Sequence, residues 1–141
     1  MREVSVGILV RDGLVLACQR KATARYPLKW EFPGGKIEQG ETSREALDRE
    51  LHEELSIRVI RAEILHTQDW TYPDSATASS DGAFRVHYFK VTAFEGEPVN
   101  RAFERMQWVN IPELAALDIL EGNRQAVALL SRSLNDKPSS P

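Results

Sequence analysis

The stretch of sequence that decides the fold runs from residue 35 to residue 57 and reads GKIEQGETSREALDRELHEELSI. Its second half is typical of an amphipathic helix from about Thr42 to Leu55, in which Thr42 or Ser43 caps the start. Leucines at four-residue spacing give this helix one apolar stripe, formed by Leu47, Leu51 and Leu55. We therefore expect the helix to pack against the rest of the domain through that stripe.

Three glutamates of the same helix lie beside the leucine stripe. Successive helical residues are rotated by about 100°, so Glu50, Glu53 and Glu54 project within an arc of about 100°. Glu41 precedes the helix and can fold back toward them. Crowded carboxylates repel one another, and a hard divalent cation such as Mg²⁺ relieves that repulsion while it binds phosphate oxygens and water. The pattern is thus compatible with a metal-dependent phosphate site, or with a merely solvated acidic helix face.

Alternating apolar residues on both sides of this helix predict strands. A hairpin through Asp12-Gly13 is expected from Val4 to Gln19, and a short extended segment at Trp30–Phe32 is expected to stop at Pro33-Gly34-Gly35. Further along the chain we expect strands at 57–70, 84–94 and 106–109, a loop at 71–83 and a final helix at 123–134. This order predicts an α+β layered fold. We expect one domain over residues 1–135 and a disordered tail over residues 136–141.

Length and composition exclude several classes of protein. The 141 residues suit one ordinary domain, and 18 Lys and Arg against 21 Asp and Glu give a net charge of −3. That balance argues against a protein that coats duplex nucleic acid or an anionic membrane. Cys18 is the only cysteine, so an intrachain disulfide and a cysteine-rich zinc cluster are ruled out. The sequence has neither a signal peptide pattern nor a membrane-spanning apolar run, so we expect a cytoplasmic protein.

The stretch resembles the Nudix box, the signature of Nudix hydrolases: Gly, five residues, Glu, seven residues, then Arg-Glu-aliphatic-x-Glu-Glu-x-Gly-aliphatic. Eight of its nine defined positions match, namely Gly35, Glu41, Arg49, Glu50, Leu51, Glu53, Glu54 and Ile57. Ser56 is the departure, because the family has glycine there. That glycine looks like a left-handed helix C-cap, where serine is expected to cost roughly 1 kcal/mol. The preceding run, residues 30–38, is similar to that of MutT-like nucleoside triphosphate pyrophosphohydrolases.

The resemblance implies a fold, an activity and a cofactor. The fold would be a Nudix-type α/β/α sandwich with a mixed central sheet, the box helix on one face and a C-terminal helix. The activity would be hydrolysis of a nucleoside triphosphate to the monophosphate and pyrophosphate, with Mg²⁺ or alternatively Mn²⁺, and 8-oxo-dGTP is one candidate substrate. Alternatives within the family are a CTP- or dCTP-directed enzyme and another nucleoside-diphosphate-X hydrolase. A non-catalytic nucleotide- or protein-binding Nudix module is the alternative from another class. The resemblance is compatible with a monomer or a homodimer.

The resemblance also implies roles for particular residues. Catalytic roles would fall to Glu50, Glu53, Glu54, Arg49 and Glu41, where Arg49 orients a glutamate and either Glu50 or Glu41 helps to activate water. Metal ligands would be Glu50, Glu53, Glu54, Glu104 and the carbonyl of Gly34. Substrate-binding residues would be Arg20, Lys36, Phe84 and Asn123. Asn123 would hydrogen-bond the base, or it would simply cap the final helix, while Phe84 and Tyr88 would stack on the base or belong to the core.

Overall fold

The computed structural model describes residues 1–72 and 82–135. Within those ranges the strands are β1 (Arg2–Arg11), β2 (Leu14–Gln19), β3 (Trp30–Glu31), β4 (Gly34–Lys36), β5 (Arg58–Thr71), β6 (Ala83–Glu95) and β7 (Arg105–Val109). The helices are α1 (Ser43–Leu55), α2 (Ile111–Ala116) and α3 (Arg124–Asn135), and a 3₁₀ turn at Glu121–Asn123 leads into α3. Most of the loop expected at 71–83 and the whole tail expected at 136–141 lie outside the described residues.

Strand β1 organises the sheet. It runs parallel to β6 over most of its length and pairs antiparallel with β4 near its start and with β2 near its end. The main strand order is β3-β2-β1-β6-β5, with β7 added beside β2 and β4 beside β1. The sheet is therefore mixed, and the hairpin expected from Val4 to Gln19 is confirmed.

Helices cover both faces of this sheet. Successive side chains of β1 point to opposite faces, and each face has its own hydrophobic core. Ile8 belongs to the core under α2 and α3, whereas Leu9 belongs to the core under α1. The leucine stripe of α1 is fully buried in that second core, which confirms the expected packing through Leu47, Leu51 and Leu55. Gly7 lets α1 lie close to β1, since a Cβ there would come within 2.8 Å of a methyl group of Leu51. The expected α/β/α sandwich is confirmed.

The start of α1 is fixed by local hydrogen bonds. The Thr42 side chain accepts from the backbone N–H of Glu45 at 3.1 Å, and the Glu45 carboxylate accepts from the Thr42 N–H at 2.9 Å. This reciprocal capping box satisfies two of the free donors at the helix start. Of the two expected caps, Thr42 is the one that the structure has.

Two short elements differ from the sequence-based expectation. The extended segment ends at Glu31, before Pro33, as expected, but Gly34–Lys36 then form a further strand, β4, which was not predicted and pairs with Val4–Val6 of β1. A Cβ at Gly34 would overlap the carbonyl oxygen of Ser5, so glycine allows the close approach of these strands. Helix α2 was not predicted, although Asn110 and Glu113 form a capping box at its start. Within the described ranges, no helix has the length and apolar character needed to cross a bilayer.

The end of α1 has the left-handed conformation expected from the box pattern. Ser56 is the C-cap, with φ 58° and ψ 34°. The neighbouring segment partly compensates for the serine, because Arg101 Nε donates to Ser56 Oγ at 2.5 Å. The backbone N–H groups of Val99 and Arg101 also donate to the carbonyls of Leu55 and Glu54, at 2.8 and 3.1 Å. The last turn of α1, which carries Glu53 and Glu54, is thereby tied to residues 99–101.

We expect Ser56→Gly to be more stable than Ser56→Ala by about 1 kcal/mol, because only glycine adopts positive φ without a steric cost. Both variants lose the hydrogen bond from Arg101, so their difference isolates the backbone conformation. Urea unfolding followed by circular dichroism measures the two free energies of unfolding. Equal stability of the two variants would contradict the left-handed cap.

Candidate active site

The paired glycines of β4 lie against the acidic side of α1. The backbone N–H of Gly34 donates to Glu54 Oε1 at 2.8 Å. A Cβ at Gly35 would overlap the Glu50 carboxylate, so this carboxylate occupies space that only glycine leaves open. The bare backbone of residues 34 and 35 thus brings two box glutamates together beside the sheet.

Arg49 links the start of α1 to its acidic face. Its Nε and Nη2 donate to the two carboxylate oxygens of Glu41, at 2.8 and 2.9 Å. Its Nη1 donates to Glu50 Oε1 at 2.9 Å, and Nη2 also donates to the carbonyl oxygen of Lys36 at 3.0 Å. Glu53 lies at the edge of this cluster, with 3.6 Å between its Oε2 and Arg49 Nη1. One guanidinium therefore connects Glu41, Glu50 and the backbone next to the glycines.

The carboxylates of Glu54 and Glu41 have opposite electrostatic environments. Burial raises the pKa of Glu54 to about 8, and the charges of Glu50, Glu31 and Glu53 add to that rise, although the Gly34 N–H opposes it. In contrast, the hydrogen bonds from Arg49 and from the Glu38 N–H lower the pKa of Glu41 to about 2. The negative charge of Glu54 is therefore not balanced by a cation among the described residues, whereas the positive charge of Arg49 balances that of Glu41.

The chemistry of this cluster fits a hard divalent cation. Its donors are carboxylate and carbonyl oxygens, which Mg²⁺ and Mn²⁺ prefer, and a cation would stabilise the charged form of Glu54 against the burial and the neighbouring charges that raise its pKa. Among residues 1–72 and 82–135, no three His, Cys, Asp or Glu side chains already converge as a complete ligand set. Mg²⁺ usually completes its shell with water and substrate phosphate oxygens, so a partial protein ligand set suits it.

A largely apolar pocket adjoins the acidic cluster. Its volume is about 200 Å³, and it is bounded by β1, the end of β3, the facing ends of β5 and β6, and the 3₁₀ turn. Glu31 belongs to both features, since it lines the pocket and its charge raises the pKa of Glu54. Arg20 stands beside it, with 3.0 Å between Arg20 Nη1 and Glu31 Oε1.

Three of the four expected substrate-binding residues line this pocket: Arg20, Phe84 and Asn123. Lys36 does not. It lies on β4 beside Arg2 and Glu3, in a separate shallow depression, and its carbonyl oxygen accepts from Arg49. Asn123 belongs to the 3₁₀ turn, and its Oδ1 accepts from the Tyr88 hydroxyl at 2.6 Å.

Glu104, expected as a further metal ligand, lies just before β7. Its carboxylate accepts a long hydrogen bond from the Ala22 N–H at 3.4 Å. None of the hydrogen bonds or ion pairs found for Glu104 in the described part of the chain reaches the box glutamates. A metal-binding role for Glu104 stays a prediction.

Sequence reasoning missed several residues of the site. Glu31 is the most important, because it connects the pocket with Glu54 and forms an ion pair with Arg20. Its position inside the run of residues 30–38 was the available signal. Trp70 and Tyr72 also line the pocket, at the end of a strand whose residues alternate too weakly to reveal which face they occupy.

Comparisons with known proteins agree with this arrangement. The family model described as NUDIX domain matches residues 1–130. A Mycobacterium tuberculosis relative, provisionally named 8-oxo-dGTP diphosphatase 2, is 36% identical over 132 residues, which cover 94% of this chain and 89% of that protein. The 8-oxo-dGTP diphosphatase of Escherichia coli is 30% identical over 131 residues, covering 92% and 96% of the two chains.

Two further similarities bear on substrate and fold. The CTP pyrophosphohydrolase of Escherichia coli is 41% identical over 86 residues, which cover 52% of this chain and 64% of that protein. The crystal structure of a MutT NUDIX hydrolase from Burkholderia pseudomallei superimposes with a TM-score of 0.79 at 28% identity, covering 92% of this chain and 97% of that one.

We expect Arg49→Lys to weaken the binding of Mn²⁺ or Mg²⁺ by about tenfold or more, because a lysine cannot bridge Glu41 and Glu50 together and residues that orient metal ligands typically contribute this much. Isothermal titration calorimetry measures the dissociation constants. Arg44→Lys is the matched control, since the ion pair found for Arg44 in the described part of the chain is with Asp48 on the same helix and involves none of the clustered glutamates. Equal weakening by both variants would show that Arg49 has no special part in holding the carboxylates.

Proposed function

This chain belongs to the NUDIX domain family, and on that premise we propose that it is a divalent-metal-dependent hydrolase that cleaves a nucleoside triphosphate to the monophosphate and pyrophosphate. The observation that carries the proposal is that Glu31 lines a largely apolar pocket while its charge acts on Glu54, which belongs to the same acidic helix face as the Arg49-held Glu50. The pocket volume of about 200 Å³ is below the ~300–1,000 Å³ of pockets for drug-sized ligands, which suits a single nucleobase.

In this proposal Glu50, Glu53, Glu54 and the carbonyl of Gly34 hold the cation. When bound, the ion supplies positive charge to the phosphate oxygens and makes a nearby water more acidic. Mg²⁺ is proposed as the ion used in the cell, and Mn²⁺ as a substitute with similar oxygen preferences. The Gly34 N–H and the Arg49 guanidinium restrict the carboxylates of Glu54 and Glu50, so these oxygens need little reorganisation to bind it.

The reaction requires water to attack a phosphorus atom of the triphosphate. The new phosphorus–oxygen bond forms as the anhydride bond between the α- and β-phosphates breaks, pyrophosphate leaves, and a carboxylate accepts the proton of the water. Of Glu41 and Glu50, the two residues expected to accept this proton, the geometry favours Glu50. Both oxygens of Glu41 are engaged by Arg49 and one also accepts from the Glu38 N–H, whereas Arg49 binds only Oε1 of Glu50.

The adjoining pocket is proposed to hold the base. Phe84 offers an aromatic face and Asn123 a polar amide. Arg20 lines this pocket beside Glu31, and its positive charge suits phosphate oxygens. In the proposal the triphosphate extends from the pocket past Glu31 and Arg20 toward the acidic cluster.

An oxidised purine substrate such as 8-oxo-dGTP is favoured over a cytosine nucleotide. The relatives named 8-oxo-dGTP diphosphatase match more than nine-tenths of this chain. The similarity to the CTP pyrophosphohydrolase is higher in identity but covers only about half of the chain, so CTP is the second candidate. All four box glutamates are kept, which favours an enzyme over a non-catalytic module. A cytoplasmic location, where nucleotides are free, and a monomer or homodimer complete the proposal.

We expect pyrophosphate release with Mg²⁺ from at least one member of a panel of 8-oxo-dGTP, dGTP, CTP, dCTP and dihydroneopterin triphosphate, with the highest kcat/KM for 8-oxo-dGTP. ADP-ribose, which cannot release pyrophosphate, is assayed separately by formation of AMP. Glu53→Gln should lower kcat/KM about 100-fold, or ~2.7 kcal/mol in the barrier, without unfolding the protein, because this side chain is 57% exposed.

The matched control is Glu63→Gln, an exposed glutamate on β5 far from the cluster in sequence and strand order. Hydrolysis of none of the panel by the wild-type protein, or equal activity of Glu53→Gln and Glu63→Gln, would contradict the proposed function.

A further inference from the structure

A buried hydrogen-bond network backs the polar wall of the base pocket. Gln68, 8% exposed on β5, donates from Nε2 to the carbonyl oxygen of Gly122 at 2.6 Å. His66 Nε2 lies 3.0 Å from Gln68 Oε1, and its ring stacks near that of Tyr88 with 6.1 Å between the centroids. On β6, Tyr88 is 1% exposed and sits opposite His66 in the sheet register.

The directions of these hydrogen bonds follow from the donors available. Because Gln68 donates to Gly122 through its amide nitrogen, its oxygen accepts, and His66 Nε2 carries the hydrogen between them. The Tyr88 hydroxyl has one proton and two nearby acceptors, Asn123 Oδ1 at 2.6 Å and Gly122 O at 3.2 Å. The contact with Asn123 Oδ1 is 0.6 Å shorter, and Gly122 O already accepts from Gln68 at 2.6 Å, so the Tyr88 proton goes to Asn123.

This assignment fixes the orientation of the Asn123 amide. Its Oδ1 is held against the buried side by Tyr88, so Nδ2, with its two hydrogens, is the end left for the pocket. Burial raises the pKa of Tyr88, so its hydroxyl remains a donor throughout the physiological pH range. Tyr72 holds the same turn from the other side, as its hydroxyl accepts from the Gly122 N–H at 2.9 Å.

We infer that Tyr88, supported by Gln68 and His66, is a positioning residue that presents the Asn123 amide as a donor, so that the pocket selects bases with a carbonyl oxygen over bases with an amino group at the same place. The inference rests on the proposed function, in which this pocket holds the base. A base that presents N–H₂ to Asn123 Nδ2 would leave two donors facing each other, whereas a carbonyl forms a hydrogen bond.

ITP and ATP test this inference as a matched pair, because the purine carries a carbonyl at position 6 in ITP and an amino group there in ATP. We expect the wild-type protein to have the higher kcat/KM for ITP. Tyr88→Phe keeps the buried ring but frees the Asn123 amide to rotate. It should therefore lower the ITP/ATP ratio, the kcat/KM for ITP divided by that for ATP, about tenfold. Gln68→Leu should narrow it too, because Gly122 O then competes for the Tyr88 proton.

A double-mutant cycle separates positioning from a merely structural effect. In an Asn123→Ala background, which itself lowers the ITP/ATP ratio, adding Tyr88→Phe should change the ratio no further. Ser133→Ala is the control: it removes a side-chain hydrogen bond with Lys90 of β6 and lies outside the pocket lining, so the ITP/ATP ratio should stay at the wild-type value. An unchanged ratio in Tyr88→Phe, an equal change with Asn123→Ala present, or an equal change in Ser133→Ala would each overturn the inference.

Calorimetric binding of the monophosphates IMP and AMP distinguishes this inference from the proposed function. Tighter binding of IMP than of AMP by the wild-type protein, with loss of this preference in Tyr88→Phe, would support the inference. It would do so even if the protein hydrolysed no triphosphate, because that result contradicts only the proposed function. Equal affinity of the wild-type protein for IMP and AMP would overturn the inference even if hydrolysis is observed.

Discussion

The site depends on one guanidinium that holds two carboxylates in place. Arg49 binds both oxygens of Glu41, one oxygen of Glu50 and the carbonyl of Lys36. Without a fixed cation among them, the glutamates of one helical face would repel one another and spread into solvent. Arg49 therefore stabilises the folded arrangement of acidic residues and also sets the positions at which they can bind a metal ion.

The rest of the fold brings this helix to the sheet and adds the pocket. Close approach at Gly7 seats the leucine stripe of α1 on β1, and the bare backbone at Gly34 and Gly35 leaves room for Glu50 and Glu54. Strands of the sheet and the turn before α3 enclose the pocket that is proposed to hold the base. Glu31 lines this pocket and its charge acts on Glu54, so under the proposed function base recognition and phosphate chemistry take place in neighbouring parts of one site.

Local features of the sequence predicted much of this structure. Three features of α1 depend on residues that are close in the sequence, so they could be predicted. They are the spacing of the leucines, the cap at Thr42 and the left-handed conformation at Ser56. Strand β4 could not, because Gly34 is explained by its contact with Ser5, 29 positions away in the sequence. The same limit applies to side chains: the positions of Glu31, Lys36 and Glu104 depend on which strands and loops lie together, and no spacing along the chain encodes that.

The most direct test of the account is the location of the bound ion, measured by paramagnetic broadening of backbone amide NMR signals during titration with a small amount of Mn²⁺. The account predicts that the signals of Gly34, Gly35, Glu50, Glu53 and Glu54 broaden first, and that excess Mg²⁺ restores them. Broadening that begins at other acidic residues, such as Glu95 and Glu97, or that spreads evenly over the surface, would contradict a metal site organised by Arg49.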